Sequence, residues 1–219
     1  MRNVTALIAW LLAGSSLVGA SWLQVGTGSG EAHVSIVEQS SSGTTFAVDI
    51  PGVEVVPTDV DGVTYSRVTI PGAVAAGLEV GRPEVPIVPV LLARPTGSNP
   101  ALRILSMQTE TLSIPRIYPL QPALRFGEAP GPIQIDGGFY SADVEYPPER
   151  AVVAHTATWH DLDVVNVQVF PLVVRPARKE IEVVSRITVR VDYKAEATQR
   201  RLRIGCSHCI DGLSRTTRS

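Results

Sequence analysis

Cysteine is nearly absent from this sequence: the 219 residues hold two, Cys206 and Cys209, both in the short run Cys206-Ser207-His208-Cys209 near the end. The body before them cannot cross-link itself and must be held by an apolar core. A chain of this length can build one, burying about 70% of its surface. Aromatic residues make up only 5% of the chain, and no cluster of Trp and Tyr suggests a sugar-binding platform. Neither sign of charge dominates, since Lys+Arg 19 against Asp+Glu 21 gives a formal net charge of −2. That balance offers no general electrostatic case for nucleic acid. After the first twenty residues no run is apolar enough to span a bilayer, for which roughly 18 to 20 residues are needed. Helical periodicity is also scarce. Only Ala73 to Val80 suggests a short helical turn, and Gly72, Gly77 and Gly81 oppose a longer one.

What is present has a period of two. Phe46, Val48 and Ile50 alternate with the smaller or more polar Thr45, Ala47 and Asp49, and Gly62 to Ile70 is rich in β-branched and aromatic residues. Further strands are expected over Ala101 to Thr109, Glu110 to Ile114, Ala151 to Trp159 and Asp163 to Val174. The clearest is Glu180 to Tyr193, where Ile181, Val183, Ile187, Val189 and Val191 face one way and Glu182, Arg186, Thr188, Arg190 and Asp192 the other. One buried and one wet face belong to an antiparallel sheet. Turn signals recur at Pro51-Gly52, Asp61-Gly62, Pro71-Gly72, Asp136-Gly137-Gly138 and Pro147-Pro148. Many short strands separated by such turns predict an all-β fold, an antiparallel β-sandwich or open barrel with little or no helix.

The N-terminus reads as a secretory signal peptide over residues 1–20, with Arg2, an apolar run from Thr5 to Leu12 and small residues before a cut after Ala20. Export to an extracellular location follows, by way of the periplasm in a two-membrane bacterium. Residues 21–30 (SWLQVGTGSG) read as a flexible lead-in, 31–195 as the β domain and 196–219 as a basic polar tail. The abrupt composition of that tail suggests a truncated junction to a further domain.

Prolines interrupt the β pattern in GRPEVPIVPVLLARPTGSNP, Gly81 to Pro100. Proline cannot donate to a sheet ladder and is confined to edges, strand starts and bulges. The spacing of Pro83, Pro86 and Pro89 matches a stiff polyproline repeat. Two roles fit it: an edge crossing that terminates a sheet, or a rigid connector fixing where Val90 to Ala93 enters the core.

The Gly-x-Pro-x-Val-Pro at Gly81 to Pro86 is followed by Tyr118-Pro119-Leu120-Gln121-Pro122, Phe139-Tyr140, Tyr146-Pro147-Pro148, a strand ending at Trp159, Val167 to Pro171, and the closing strand Ile181 to Tyr193. In this order the set resembles the N-terminal propeptide of gingipain-type cysteine endopeptidases, over roughly Val55 to Tyr193. The resemblance implies a compact all-β prodomain that assists folding of a catalytic domain and keeps it latent by covering its active site. Its partner would be that cysteine protease domain, in cis or in trans. A generic exported β-sandwich module for adhesion or carbohydrate binding is the alternative from a different class.

The residues themselves supply no reaction. Cys206 and Cys209 lie in a tail with little to hold a thiol beside a base. With His208 they give three ligands at most, short of the about four that a structural zinc takes. A local disulfide or an incidental pair is the better reading, and neither a catalytic residue nor a metal or cofactor is expected. His155 is expected to point inward beside Val153 and Trp159. To block a pocket that accepts a basic side chain, an inhibitor must offer Arg or Lys on an exposed, supported loop. Arg116 in IPRIY and Arg125 in ALRFGEAPGP are the candidates, and Arg125 is preferred because Gly127, Pro130, Gly131 and Pro132 make its surroundings a loop. Arg200, Arg201 and Arg203, in an exposed linker, are candidate processing sites for an Arg-specific protease.

Overall fold

The computed structural model describes residues 19–76, 79–129 and 131–195. The expected signal peptide falls almost wholly outside these residues, and the tail from 196 onward entirely so.

The chain runs through β1 (Ser21–Gln24), β2 (His33–Ser40), β3 (Gly43–Asp49), β4 (Gly52–Val60), β5 (Val63–Thr69), β6 (Val74–Ala76), β7 (Val85–Ala93), β8 (Ser98–Ser113), α1 (Gly137–Ser141), β9 (Ala151–Trp159), β10 (Leu162–Val169), β11 (Leu172–Arg175) and β12 (Glu180–Ala195). The strands pair antiparallel in three sheets, so the fold is all-β as the alternation predicts. One sheet is β1-β4-β5 and a second is β6-β7-β10-β9. In the third, β12 has β8 along one edge and β11 and then β3 along the other, with β2 outside β3.

The sheets close on one apolar core. Ile181, Val183, Ile187, Val189 and Val191 of β12 are at most 1% exposed, on the face their alternation assigns. They meet Phe46 and Val48 of β3, Val85 and Val90 of β7, and Val165, Val167 and Val169 of β10. Each such side chain contributes about 1.5–3 kcal/mol on burial. Tyr193 ties two sheets together, its Oη lying 3.0 Å from both Thr44 Oγ1 of β3 and Ala93 O of β7. Asp61-Gly62 turns β4 into β5 with φ of 49° and 78°. His160-Asp161 turns β9 into β10 in the same left-handed region, which a two-residue hairpin needs.

Several expectations are corrected. Ala73 to Val80 contains no helical turn among its described residues, because Val74–Ala76 pairs with β7 as a strand. Ser21–Gln24, assigned by composition to a flexible lead-in, is a strand paired with β4. Gly52 permits that pairing, since a Cβ there would lie 2.4 Å from the Trp22 ring. Ala101 to Ile114 is not two strands; residues 98–113 form one, paired along the whole of β12. In β3 Ala47 is as buried as Phe46, because its small side chain on the polar face lies between the longer residues of β12 and β2 that flank it. The prolines lie in a strand that is interior by order but has a local edge at each of Pro86 and Pro89. β7 lies between β6 and β10, yet β6 covers only Val85 to Ile87 and β10 only Val88 to Ala93. Pro86 and Pro89 therefore each have one uncovered side, toward which an imide nitrogen costs no ladder bond.

Candidate functional site

The site begins where β8 ends. Residues 114–120 run between β5 and the segment leading into β7, and their backbone bonds to both. Ser66 N of β5 donates to Arg116 O and Tyr118 N donates back to Ser66 O, both at 2.8 Å. One step later Glu84 N donates to Tyr118 O at 2.8 Å, Leu120 N to Arg82 O at 2.7 Å and Gly81 N to Leu120 O at 2.9 Å. Pro83 and Pro119 face each other in this short antiparallel bridge. Neither has an N–H to lose, and the flanking residues carry the bonds. The two proline motifs that stand far apart in sequence are thus partners. Side chains brace the bridge from outside: the Arg67 guanidinium lies 4.3 Å from the Tyr118 ring centre and 3.4 Å from Glu84.

From this brace the chain projects a loop, residues 121–135, and returns at Asp136. The Asp136 N–H donates to Gly81 O at 3.0 Å, and its carboxylate caps α1 by accepting from Phe139 N at 3.0 Å. Gly81 has φ +86°, and a Cβ there would sit 3.1 Å from Asp136 N, so glycine suits both the conformation and the approach. Across the neck, Gln134 N donates to Gln121 Oε1 at 2.9 Å while Gln121 Nε2 lies 3.0 Å from Gln134 O. At the tip, Arg125 N donates to Glu128 Oε2 at 3.1 Å and Glu128 N to Arg125 O at 3.0 Å, around Gly127 with φ +83°. A cavity of about 620 Å³ lies under the loop, bounded by Tyr118, Gln121, Leu124, Glu128 and Ile133.

Arg125 sits at this tip with its side chain exposed and unpaired among the described residues. Every other described arginine lies 3.9 Å or closer to a carboxylate or, like Arg116, faces aromatic rings. Its neighbours are exposed too: Leu124 by 54% and Phe126 by 110% of their reference areas.

Arg116 is held differently. Its guanidinium lies 5.8 Å and 5.9 Å from the ring centres of Tyr65 and Tyr140, on the wall of a second cavity of about 230 Å³ that Lys179 also lines. Tyr140 donates its hydroxyl to Ile117 O at 2.7 Å. Burial, and then the neighbouring Tyr65, pushes its phenol well above the ordinary value, so it stays a neutral donor.

Both sequence candidates therefore belong to one stretch of chain, with Arg125 presented and Arg116 stacked. Arg200, Arg201, Arg203, Cys206 and Cys209 lie outside the described residues. His155 is exposed, contrary to expectation: β9 is an edge strand, and a bulge opposite Asn166 and Val167 breaks its alternation before His155. His160 and Asp161 are the hairpin turn. Among the described residues no group of three or more His, Cys, Asp or Glu is placed to hold a metal. Gln121 belongs to the motif Tyr118-Pro119-Leu120-Gln121-Pro122, and nothing in the sequence marks it as a bonding partner. Its partner Gln134 carries no local signal.

A family model described as Propeptide_C25 matches residues 26–205. Lys-gingipain HG66 of Porphyromonas gingivalis is 27% identical over 158 residues, which are 68% of this chain and 9% of that protein. Lys-gingipain W83 of the same organism matches to the same extent. The chain thus spans about 9% of the length of the curated relatives it matches. Among solved structures, one reported for the zymogenic latency of gingipain K from P. gingivalis superposes with a TM-score of 0.71 at 22% identity, covering 81% of this chain and 100% of the other. Another, a complex of P. gingivalis RgpB pro- and mature domains, gives 0.69 at 20% identity, covering 74% and 84%. These two likenesses concern the fold.

Proposed function

The chain belongs to the family of C25 propeptides, and we propose that it keeps a gingipain-type cysteine endopeptidase latent by seating the loop 121–135 in the enzyme's cleft. The observation that carries this reading is Arg125, the described arginine without a carboxylate or ring, held between exposed Leu124 and Phe126 on a loop clamped at its neck.

The chemistry is that of charge-assisted recognition. A pocket for a basic side chain ends in a carboxylate, and a guanidinium meets a carboxylate through two parallel N–H···O bonds. The other described arginines except Arg116 sit beside carboxylates, and withdrawing one would leave a carboxylate uncompensated, while Arg116 lies against Tyr65 and Tyr140. Arg125 leaves nothing behind. Leu124 and Phe126 add apolar area beside the ion pair, which excludes water from it. The protein partner is the catalytic domain of a cysteine protease, in cis or in trans. The names of the relatives and of the RgpB complex support that choice.

The remaining parts of the reading follow the same precursor logic. Residues 1–20 direct export, the β domain forms first and offers its surface as a template for the catalytic domain, and Arg200, Arg201 and Arg203 are where the connection is cut. The test is inhibition of a purified gingipain-type endopeptidase that hydrolyses Arg-containing peptides. The unaltered protein suppresses turnover, Arg125→Ala raises the inhibition constant about 100-fold, and Arg116→Ala changes it by less than about threefold. Equal inhibition by the unaltered protein and Arg125→Ala removes this loop from the account.

A further inference from the structure

An exposed Arg-Phe peptide bond on a loop is what a protease with a basic-accepting pocket cuts. A loop that is to occupy such a pocket must survive there, so the loop that presents Arg125 has to do more than expose it. Survival requires that the loop not relax into the extended form that cleavage needs, and that its cut ends not drift apart.

The neck of the loop contains a device suited to this. Gln121 spends its whole carboxamide on the backbone: Nε2 lies 3.0 Å from Pro119 O, 3.2 Å from Leu120 O and 3.0 Å from Gln134 O, and Oε1 accepts from Gln134 N at 2.9 Å. A carboxamide has one acceptor and two donors, and here all are engaged. The paired bonds to Gln134 imitate one rung of a β-ladder between segments that are not strands. They join the two ends of the loop that carries Arg125. Apolar packing contributes little on the outgoing arm, because residues 122–129 are exposed throughout.

We propose that Gln121 is the positioning residue of the loop, a latch that holds Arg125 in a conformation that binds an Arg-accepting protease and resists being cut by it. Its opening converts the loop from inhibitor to substrate. The inference rests on the reading of Arg125 as the contact, and the latch is tested separately from that reading.

Trypsin is the probe, since it accepts Arg and needs no knowledge of the natural partner. Intact protein is incubated with trypsin under native conditions, and the new N-terminus at Phe126 is timed by mass spectrometry. Gln121→Ala accelerates cleavage after Arg125 about tenfold or more, while the thermal midpoint of the domain changes little, because the latch is local. Gln121→Glu keeps the length of the side chain and the accepted bond while removing both N–H donors, and it accelerates the cut in the same direction. It also decides the matter should Gln121→Ala be cut throughout the chain, the sign of general unfolding. Against a gingipain-type endopeptidase both variants inhibit at first and then lose inhibition as residues 121–135 are severed. Cleavage after Arg125 as slow in both variants as in the unaltered protein overturns the latch, whatever Arg125→Ala does to inhibition. Undiminished inhibition by Arg125→Ala instead overturns the contact, and leaves the trypsin result to stand for the latch alone.

Discussion

Around β12 the apolar side chains are buried and the arginines are neutralised, whereas at the tip of the loop 121–135 Leu124 and Phe126 are exposed and Arg125 has no side-chain partner among the described residues. Ile187 and Val189 are fully buried, and Arg186 and Arg190 on the opposite face pair with Asp49 and Glu38 at 2.6 Å and 3.0 Å. Leu124, Arg125 and Phe126 reverse both rules within three residues. The difference separates what builds the platform from what is presented on it. Burial of Val and Ile needs no second molecule. A lone cation flanked by exposed Leu and Phe contributes nothing to the fold and gains only when something covers it.

The contrast can be broken first from the side of the body. Phe46→Ala removes a fully buried ring from the centre of β3 and costs about 3–5 kcal/mol in denaturant-induced unfolding. A loss below about 1 kcal/mol would mean that the core does not carry the stability. Gly81→Ala acts at the joint between body and loop. With φ +86° and Asp136 N in the way, it costs about 1–2 kcal/mol. It also loosens the downstream end of the loop, so faster cleavage after Arg125 accompanies the lower midpoint. Tyr140→Phe leaves the ring beside Arg116 but orphans Ile117 O, for about 1 kcal/mol.

Acid sharpens the comparison in another way. Arg178 bonded to Asp143, Arg175 bonded to Glu145, Thr158 bonded to Asp163, and Arg103 with Arg190 bonded to Asp192 each hold a carboxyl below its ordinary value. Their contributions are present above the unfolded values of about 3.9 and 4.3 and are lost as pH falls through the lower folded ones. The thermal midpoint should therefore be level from about pH 5 to 7 and fall below about pH 4. Smallest of all is the expected effect of Arg125→Ala on the unbound domain, within about 0.5 kcal/mol, because the side chain is bonded to nothing there.

Legibility in the sequence follows the same division. The faces of β12 and the bounds of β9 could be read because alternation is local, and Arg125 could be singled out because Gly127 and the prolines mark a loop. The brace could not. That Pro83 meets Pro119, and that Gln121 meets Gln134, depends on where separate segments arrive after folding, which no periodicity records. β6 was misread because three residues are too few for a pattern. His155 was misplaced because a single bulge on β9 reverses its face. The prolines of β7 posed a real conflict with a central strand, and the resolution, two short neighbours that cover different halves, belongs to topology.

Which face of the domain meets the protease is read directly by hydrogen exchange of the complex. Amide exchange measured for the domain alone and with a gingipain-type endopeptidase bound should show new protection over residues 121–135 and little change along the outer edges of β2 and β8. Protection concentrated on those edges, with the loop around Arg125 exchanging as fast as in the free domain, would contradict the seating of the loop in the cleft.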